Sequence, residues 1–236
     1  MKIKMKKTPG TLLLTSMVAV LAFTVACEKD DNDGPNPPAG SGKVALLNAA
    51  FGTDSVNFYV GSEKMNSKLI GYGDSLKYTS VEVGDSAFEL KGKDDKSLVK
   101  KSFKTEKDKN YSILASNSKD GETFELVQIT DDLTAPKSDK AKIRFIHLSP
   151  DAAKLNLVSG DTILAENIAY KSASAFKEVD AAEISLSILD AEAADTLLTV
   201  NEFELVKGKI YTVWVSGLQD TDDEDKQLKA RVFTNK

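Results

Sequence analysis

The sequence contains one pattern twice. "KVALLNAAFGTDSVNFYVG", from Lys43, aligns with "KIRFIHLSPDAAKLNLVSG", from Lys142, so that Val44 meets Ile143, Leu46 meets Phe145, Asn48 meets His147 and Asn57 meets Asn156. All lie at an offset of 99 residues. Further on, "FKTEKDKNYSILASN" from Phe103 aligns with "FELVKGKIYTVWVSG" from Phe203, with Lys107, Lys109 and Tyr111 on Lys207, Lys209 and Tyr211 at an offset of 100. Two separate blocks at nearly one offset require an internal duplication, with a net insertion of one residue in a loop. The polar, proline-containing stretch Thr134 to Lys140 reads as the linker between copies. The expected division is a first copy over 43–133, a linker over 134–140 and a second copy over 141–236.

Each copy carries period-two alternation. Val56, Phe58 and Val60 alternate with Asn57 and Tyr59; Ile184, Leu186 and Ile188 alternate with Ser185 and Ser187; Tyr211, Val213 and Val215 alternate with Thr212 and Trp214. Alternation of this kind makes strands with one buried face. Turn signals separate them, at Gly61, Gly84, Ser159-Gly160-Asp161 and Lys207-Gly208-Lys209. Asp190 to Asp195 leans helical but is too short for a stable helix, and reads as a hairpin tip. Several short strands per copy imply an all-β chain of two tandem antiparallel, immunoglobulin-like β-sandwich domains, each expected around its own core.

The segment ahead of the repeats has a different character. Lys2, Lys4, Lys6 and Lys7 precede the apolar run Thr11 to Ala26, a basic start and a short apolar stretch that together read as a secretory signal over 1–26. The run falls short of the ~20 apolar residues of a spanning helix. Cys27, the chain's single cysteine, follows Val25-Ala26 directly and is flanked by Glu28-Lys29-Asp30-Asp31, which cannot be a core segment. This junction resembles the lipobox of bacterial lipoproteins, with Thr24 where leucine is usual; the resemblance implies cleavage before Cys27 and lipid attachment to it. Residues 27–42, acidic and then rich in Pro and Gly, read as a disordered tether. Lys29, Asp30 and Asp31 are similar to the signal by which some Gram-negative lipoproteins reach the outer face of the outer membrane. The expected location is therefore the outer membrane, lipid-anchored and facing the exterior. With Cys27 used, no disulfide or cysteine-ligated metal remains available to the fold.

Charge excludes one class of partner. The chain has net charge −5, and removing 1–26 removes four lysines and no acid, leaving −9. A chain with 29 lysines, four of them in residues 1–26, only two arginines (Arg144 and Arg231) and an acid excess does not suit nucleic acid.

The motif His147-x-Ser149-Pro150-Asp151-Ala152, followed by a short strand and glycine and later by Gly208-Lys209-x-Tyr211-Thr212-Val213, resembles the domain of unknown function 4397 family. The second copy carries these residues throughout and reads as the better match. The first has Asn48 for the histidine and Ala49-Ala50-Phe51-Gly52 in the Ser-Pro-Asp region. The resemblance implies a secreted, often repeated β-sandwich module and brings no activity with it.

Catalytic residue types are scarce. His147 is the only histidine; Ser149 follows it at strand spacing, which is not a nucleophile–base pair by itself. The expected role of His147 is to end a strand and hydrogen-bond the Ser149–Asp151 turn, a job Asn48 can do in the first copy. The acid pairs Asp94-Asp95 and Asp131-Asp132 and the run Asp220 to Asp225 are expected in solvated loops; the last lacks the glycine and distal glutamate of a helix–loop–helix calcium site. No metal site and no cofactor are expected. The reading is a non-catalytic envelope module that binds a protein or glycan partner, with an uncatalogued hydrolase of glycan or peptide as the alternative. The candidate partner contact is Trp214 with Ile210, which share the strand face opposite Tyr211, Val213 and Val215. Three placements of Trp214 stay open: under a loop of its own domain, against the other domain, or in an exposed patch that binds a partner.

Overall fold

The computed structural model describes residues 40–52, 55–118 and 122–236. The signal segment, most of the tether, Cys27 and Lys29-Asp30-Asp31 lie outside the described residues. Every regular element described is a strand. The first copy supplies β1 (Ser41–Asn48), β2 (Ser55–Val60), β3 (Glu63–Lys64), β4 (Ile70–Gly71), β5 (Ser75–Glu82), β6 (Gly84–Gly92), β7 (Ser97–Thr105), β8 (Asn110–Asn117) and β9 (Phe124–Asp131). The second supplies β10 (Lys140–Leu148), β11 (Leu155–Ser159), β12 (Thr162–Ile168), β13 (Ser172–Ala173), β14 (Lys177–Asp180), β15 (Glu183–Asp190), β16 (Thr196–Glu204), β17 (Ile210–Ser216) and β18 (Lys229–Thr234).

Each copy forms two sheets. In the first, an inner sheet has the order β5-β1-β8-β9 and an outer sheet the order β3-β2-β6-β7, with β4 also on β2. The second repeats this as β13-β10-β17-β18, with β14 also on β10, and β12-β11-β15-β16. The pairing is antiparallel except at one place in each inner sheet. There β1 runs parallel to β8, and β10 runs parallel to β17. Between them the chain leaves β1 for β2 in the outer sheet, returns to the inner sheet at β5, crosses again to β6 and β7, and comes back beside β1 at β8.

Each sandwich closes on its own core. Val44, Leu46, Phe58, Phe88, Leu90 and Ile113 belong to the first; Ile143, Phe145, Leu157, Leu186, Tyr211 and Val213 belong to the second. The second repeated block fixes the entry to β8 and to β17. Tyr111 accepts a hydrogen bond from the Glu106 N–H (3.1 Å) and Tyr211 from the Val206 N–H (3.2 Å). The turn between donor and tyrosine needs a positive φ, taken by Asp108 (59°) and Gly208 (76°).

A third apolar cluster exists that the expectation of one core per copy did not include. Ala45, Leu47, Ala49 and Leu114 of the first inner sheet pack with Ile146, Leu148, Trp214 and Phe233 of the second. The molecule therefore stacks outer, inner, inner, outer. This explains why β1, β8, β10 and β17 are buried on both faces, whereas β15 and β16 alternate. Strands buried on both faces have near-continuous apolar sequences, and "KIRFIHL" and "IYTVWVS" have that character.

The structure corrects the proposed partner contact. Trp214 is 1% exposed and Ile210 is 0% exposed. The outer face of β17 is not solvent-facing, because the first sandwich covers it.

Candidate functional site at the seam between the two sandwiches

The seam is apolar at its centre and polar at one end. There six side chains, three from each copy, form a connected hydrogen-bond network. The Arg144 guanidinium in β10 donates from Nη1 to Asp131 Oδ1 (2.6 Å), from Nη2 to Ser112 Oγ (2.9 Å) and from Nε to Thr212 Oγ1 (2.9 Å). Asp131, at the end of β9, accepts on Oδ2 from Ser112 Oγ (2.7 Å) and Tyr78 Oη (2.5 Å). Thr212 Oγ1 donates to Asn235 Oδ1 (2.7 Å), and Asn235 Nδ2 donates to Tyr78 Oη (2.9 Å). The face of Phe176 covers Arg144 at 4.5 Å. The side chains of Arg144 and Asp131 are 2% and 0% exposed. Burial, reinforced by the Asp131 carboxylate, raises the pKa of Tyr78 far above the usual phenol value.

Asp131 is thus not part of a solvated loop pair, as the sequence suggested. Its neighbour Asp132 is solvent-facing and lies 3.5 Å from the Lys142 ammonium. A buried ion pair is tolerated only where its remaining donors and acceptors are satisfied, and each polar atom of the guanidinium has a partner here. The sequence signal was available. Arg144 interrupts an apolar strand and is one of only two arginines.

The second arginine lies further along the same seam. Arg231, in β18, lies over the rings of both Tyr72 (4.8 Å) and Trp214 (5.2 Å) and donates from Nη1 to Ser216 Oγ (2.7 Å). Tyr72 Oη is 3.1 Å from the same Ser216 Oγ. Tyr170 of the second copy reaches the opposite way and donates to the Asn117 carbonyl of the first. Burial lifts the Tyr170 hydroxyl to about 12. Lys171 pairs with Glu125 beside it.

Next to the buried network, the two sandwiches leave an open cleft of about 820 Å³ lined by Lys43, Tyr78, Lys109, Asp131, Asn235 and Lys236, among others. Of these, Tyr78, Asp131 and Asn235 also belong to the buried network, where Tyr78 bonds both of the others.

His147 lies in the second inner sheet, buried, and is committed to its own turn. Its Nδ1 accepts from the Ser149 N–H (3.2 Å), which places the ring proton on Nε2, facing the Ala153 carbonyl (2.8 Å). Asn48 does the same in the first copy, accepting from the Ala50 N–H and donating to the Ile70 and Gly71 carbonyls. Burial holds the His147 pKa below its ordinary value. Ser149 donates to Asp151 (3.0 Å) and not to the imidazole, so the two are not a serine–histidine pair. Burial opposes ionisation of Asp151, but the hydrogen bonds that it accepts, chiefly from the Asp220 and Gln219 N–H groups and the Ser149 hydroxyl, together outweigh this and keep its pKa low. In the acidic loop, Asp223 is engaged by the Lys226 ammonium (2.9 Å) and the Asp225 N–H (3.1 Å).

Residues 42–158 match the family model for a domain of unknown function, DUF4397. A DUF4397 domain lies in this chain. The match takes in all of the first sandwich, β10 and most of β11, so the DUF4397 domain holds both Asp131 and Arg144. It falls on the first copy, where the sequence reading placed the weaker resemblance, and stops at Val158 in the second. No curated protein matches the chain. Among solved structures, the chain is similar to a family 26 carbohydrate-binding module from Eubacterium rectale Amy13K, crystallised with maltoheptaose, at 12% identity over 83% of this chain and 97% of that one, with a TM-score of 0.25. It is also similar to a candidate adhesin from Bacteroides ovatus, at 10% identity over 82% of this chain and 94% of that one, with a TM-score of 0.21.

Proposed function

We propose that this protein is a non-catalytic binding or structural module of the cell envelope, held at the outer membrane by lipid on Cys27 and facing the exterior. One observation carries the non-catalytic reading. The fold already uses the polar groups best placed for chemistry: both ring nitrogens of His147 serve its own turn, and Arg144 and Asp131 neutralise each other inside the seam. The Val25-Ala26-Cys27 junction supports lipid attachment, and Lys29-Asp30-Asp31 supports outward display. In this reading the tether carries a rigid double sandwich away from the membrane, and a protein or glycan partner is met by the outer sheets and loops rather than by Trp214.

The test compares wild-type protein with His147→Asn, a change the first copy already carries at the equivalent position. Residues 40–236 of both should retain the same partner from an envelope extract and leave envelope glycan and peptide uncut. Hydrolysis by the wild type that disappears in the variant would replace this reading with the hydrolase.

A further inference from the structure

The strand registers allow the two sides of the seam to be matched residue by residue. Val44 pairs with Tyr111 as Ile143 pairs with Tyr211, which makes Ala45 the counterpart of Arg144, Ser112 of Thr212 and Leu114 of Trp214. Thr130 lies opposite Tyr111 as Thr234 lies opposite Tyr211, so Asp131 corresponds to Asn235, Val127 to Arg231 and Glu125 to Lys229. The Gly73 N–H bonds the Asn48 carbonyl as the Lys171 N–H bonds that of His147, so Gly73 corresponds to Lys171 and Tyr72 to Tyr170.

With that correspondence the contacts are reciprocal. Tyr72 of the first copy reaches Ser216 of the second, and Tyr170 of the second reaches Asn117 of the first, one residue past the counterpart Ser116. This is the pattern of an isologous dimer interface, formed here within one chain. The two faces therefore share a backbone arrangement. They do not share a charge pattern. The second copy's face carries Arg144, Lys171 and Arg231, in slots that hold Ala45, Gly73 and Val127 in the first. The first copy's face carries Glu125 and Asp131, in slots that hold Lys229 and Asn235 in the second.

We propose that this segregation of charge is a pairing code: a face of the second kind accepts only a face of the first kind, and each face rejects its own. Two faces of the first kind would bury Asp131 carboxylates with no cation. Two of the second kind would bury guanidinium groups with no anion. Leaving a buried charge unpaired is strongly unfavourable, and juxtaposing like charges adds to it. The linker keeps the unlike face of the same chain at high effective concentration. Each chain therefore closes on itself and stays monomeric, even where many copies are crowded together.

Three variants of residues 40–236 test this by sedimentation and Trp214 emission. Glu125→Lys/Asp131→Arg gives a chain with two cationic faces, and Arg144→Asp/Lys171→Glu gives one with two anionic faces. Each alone should be an elongated monomer with red-shifted emission. Mixed in equal amounts, they should form a complex containing both chains and regain blue-shifted emission. The chain bearing all four changes should return to a closed monomer, which also controls for misfolding of the first two. Closed, blue-shifted monomers of either two-fold variant would overturn the code. So would self-association of either variant as strong as the mixed association, or a four-fold variant that stays open.

Discussion

The guanidinium of Arg231 lies 5.2 Å from the centroid of the Trp214 ring and 4.8 Å from that of Tyr72 of the first copy. Trp214 is therefore closed in by its own sheet, by an arginine of the neighbouring strand and by the apolar face of the first sandwich. It reports on the seam. Emission should be blue-shifted in the native protein and should shift red as the seam opens. Loss of strand signal by circular dichroism should coincide with that shift, because the third cluster couples the two sandwiches. Trp214→Ala should cost about 3–5 kcal/mol, the usual range for removing a large buried aromatic, measured by urea unfolding. Two separate transitions in the wild type would show that the seam contributes little.

Asp131→Ala should be among the most damaging single changes at the seam. It strands the Arg144 guanidinium in a dry environment with only hydroxyl acceptors left. Breaking a buried pair by removing one partner costs about 3–5 kcal/mol. Arg144→Met in the same chain should recover part of that loss, because the unpaired cation is then gone. Chemical denaturation of the two variants checks both statements.

Gly73 has a φ of 89°, and a Cβ placed there would sit 2.4 Å from Arg231 Nε. Gly73→Ala should cost about 1–2 kcal/mol from the backbone alone and should push Arg231 off its stack. A thermal melt measures the first effect. A red shift of Trp214 emission at a temperature where the protein is still folded measures the second.

His147 gives the fold a pH dependence of definite sign. Burial holds its native pKa below the ordinary 6.5, so the unfolded chain takes up the proton first as pH falls. Stability from this group is complete above the ordinary imidazole value. It declines as pH drops below that value and levels off once the lower native pKa is passed. Protonation also places a second ring proton against the Ser149 N–H. The midpoint of urea unfolding, followed from pH 7.5 to 5, should fall more steeply in wild type than in His147→Asn.

At the N-terminus, Cys27→Ser should accumulate as an uncut precursor larger than the mature chain. Replacing Lys29, Asp30 and Asp31 by Ala should leave processing intact but protect the protein from protease added to whole cells. Normal-sized, membrane-bound Cys27→Ser protein would remove the basis for lipid attachment.

The repeat, the strands and the role of His147 were legible from the sequence, because each rests on local pattern. Offset alignment exposes duplication, alternation exposes half-buried strands, and a histidine two residues before Ser149 at a strand end has a nearby N–H to bond. The seam was not legible, for a physical reason. Alternation tells which residues share a face, and it put Trp214, Thr212 and Ile210 together correctly, but it does not tell what covers that face. Only the fold brings Asp131 from the end of β9 to Arg144 in β10 and sets Ser112 and Thr212 on either side of them. A carboxylate beside Asp132 looks solvated in one dimension. It becomes half of a buried ion pair only when two inner sheets exclude the water between them.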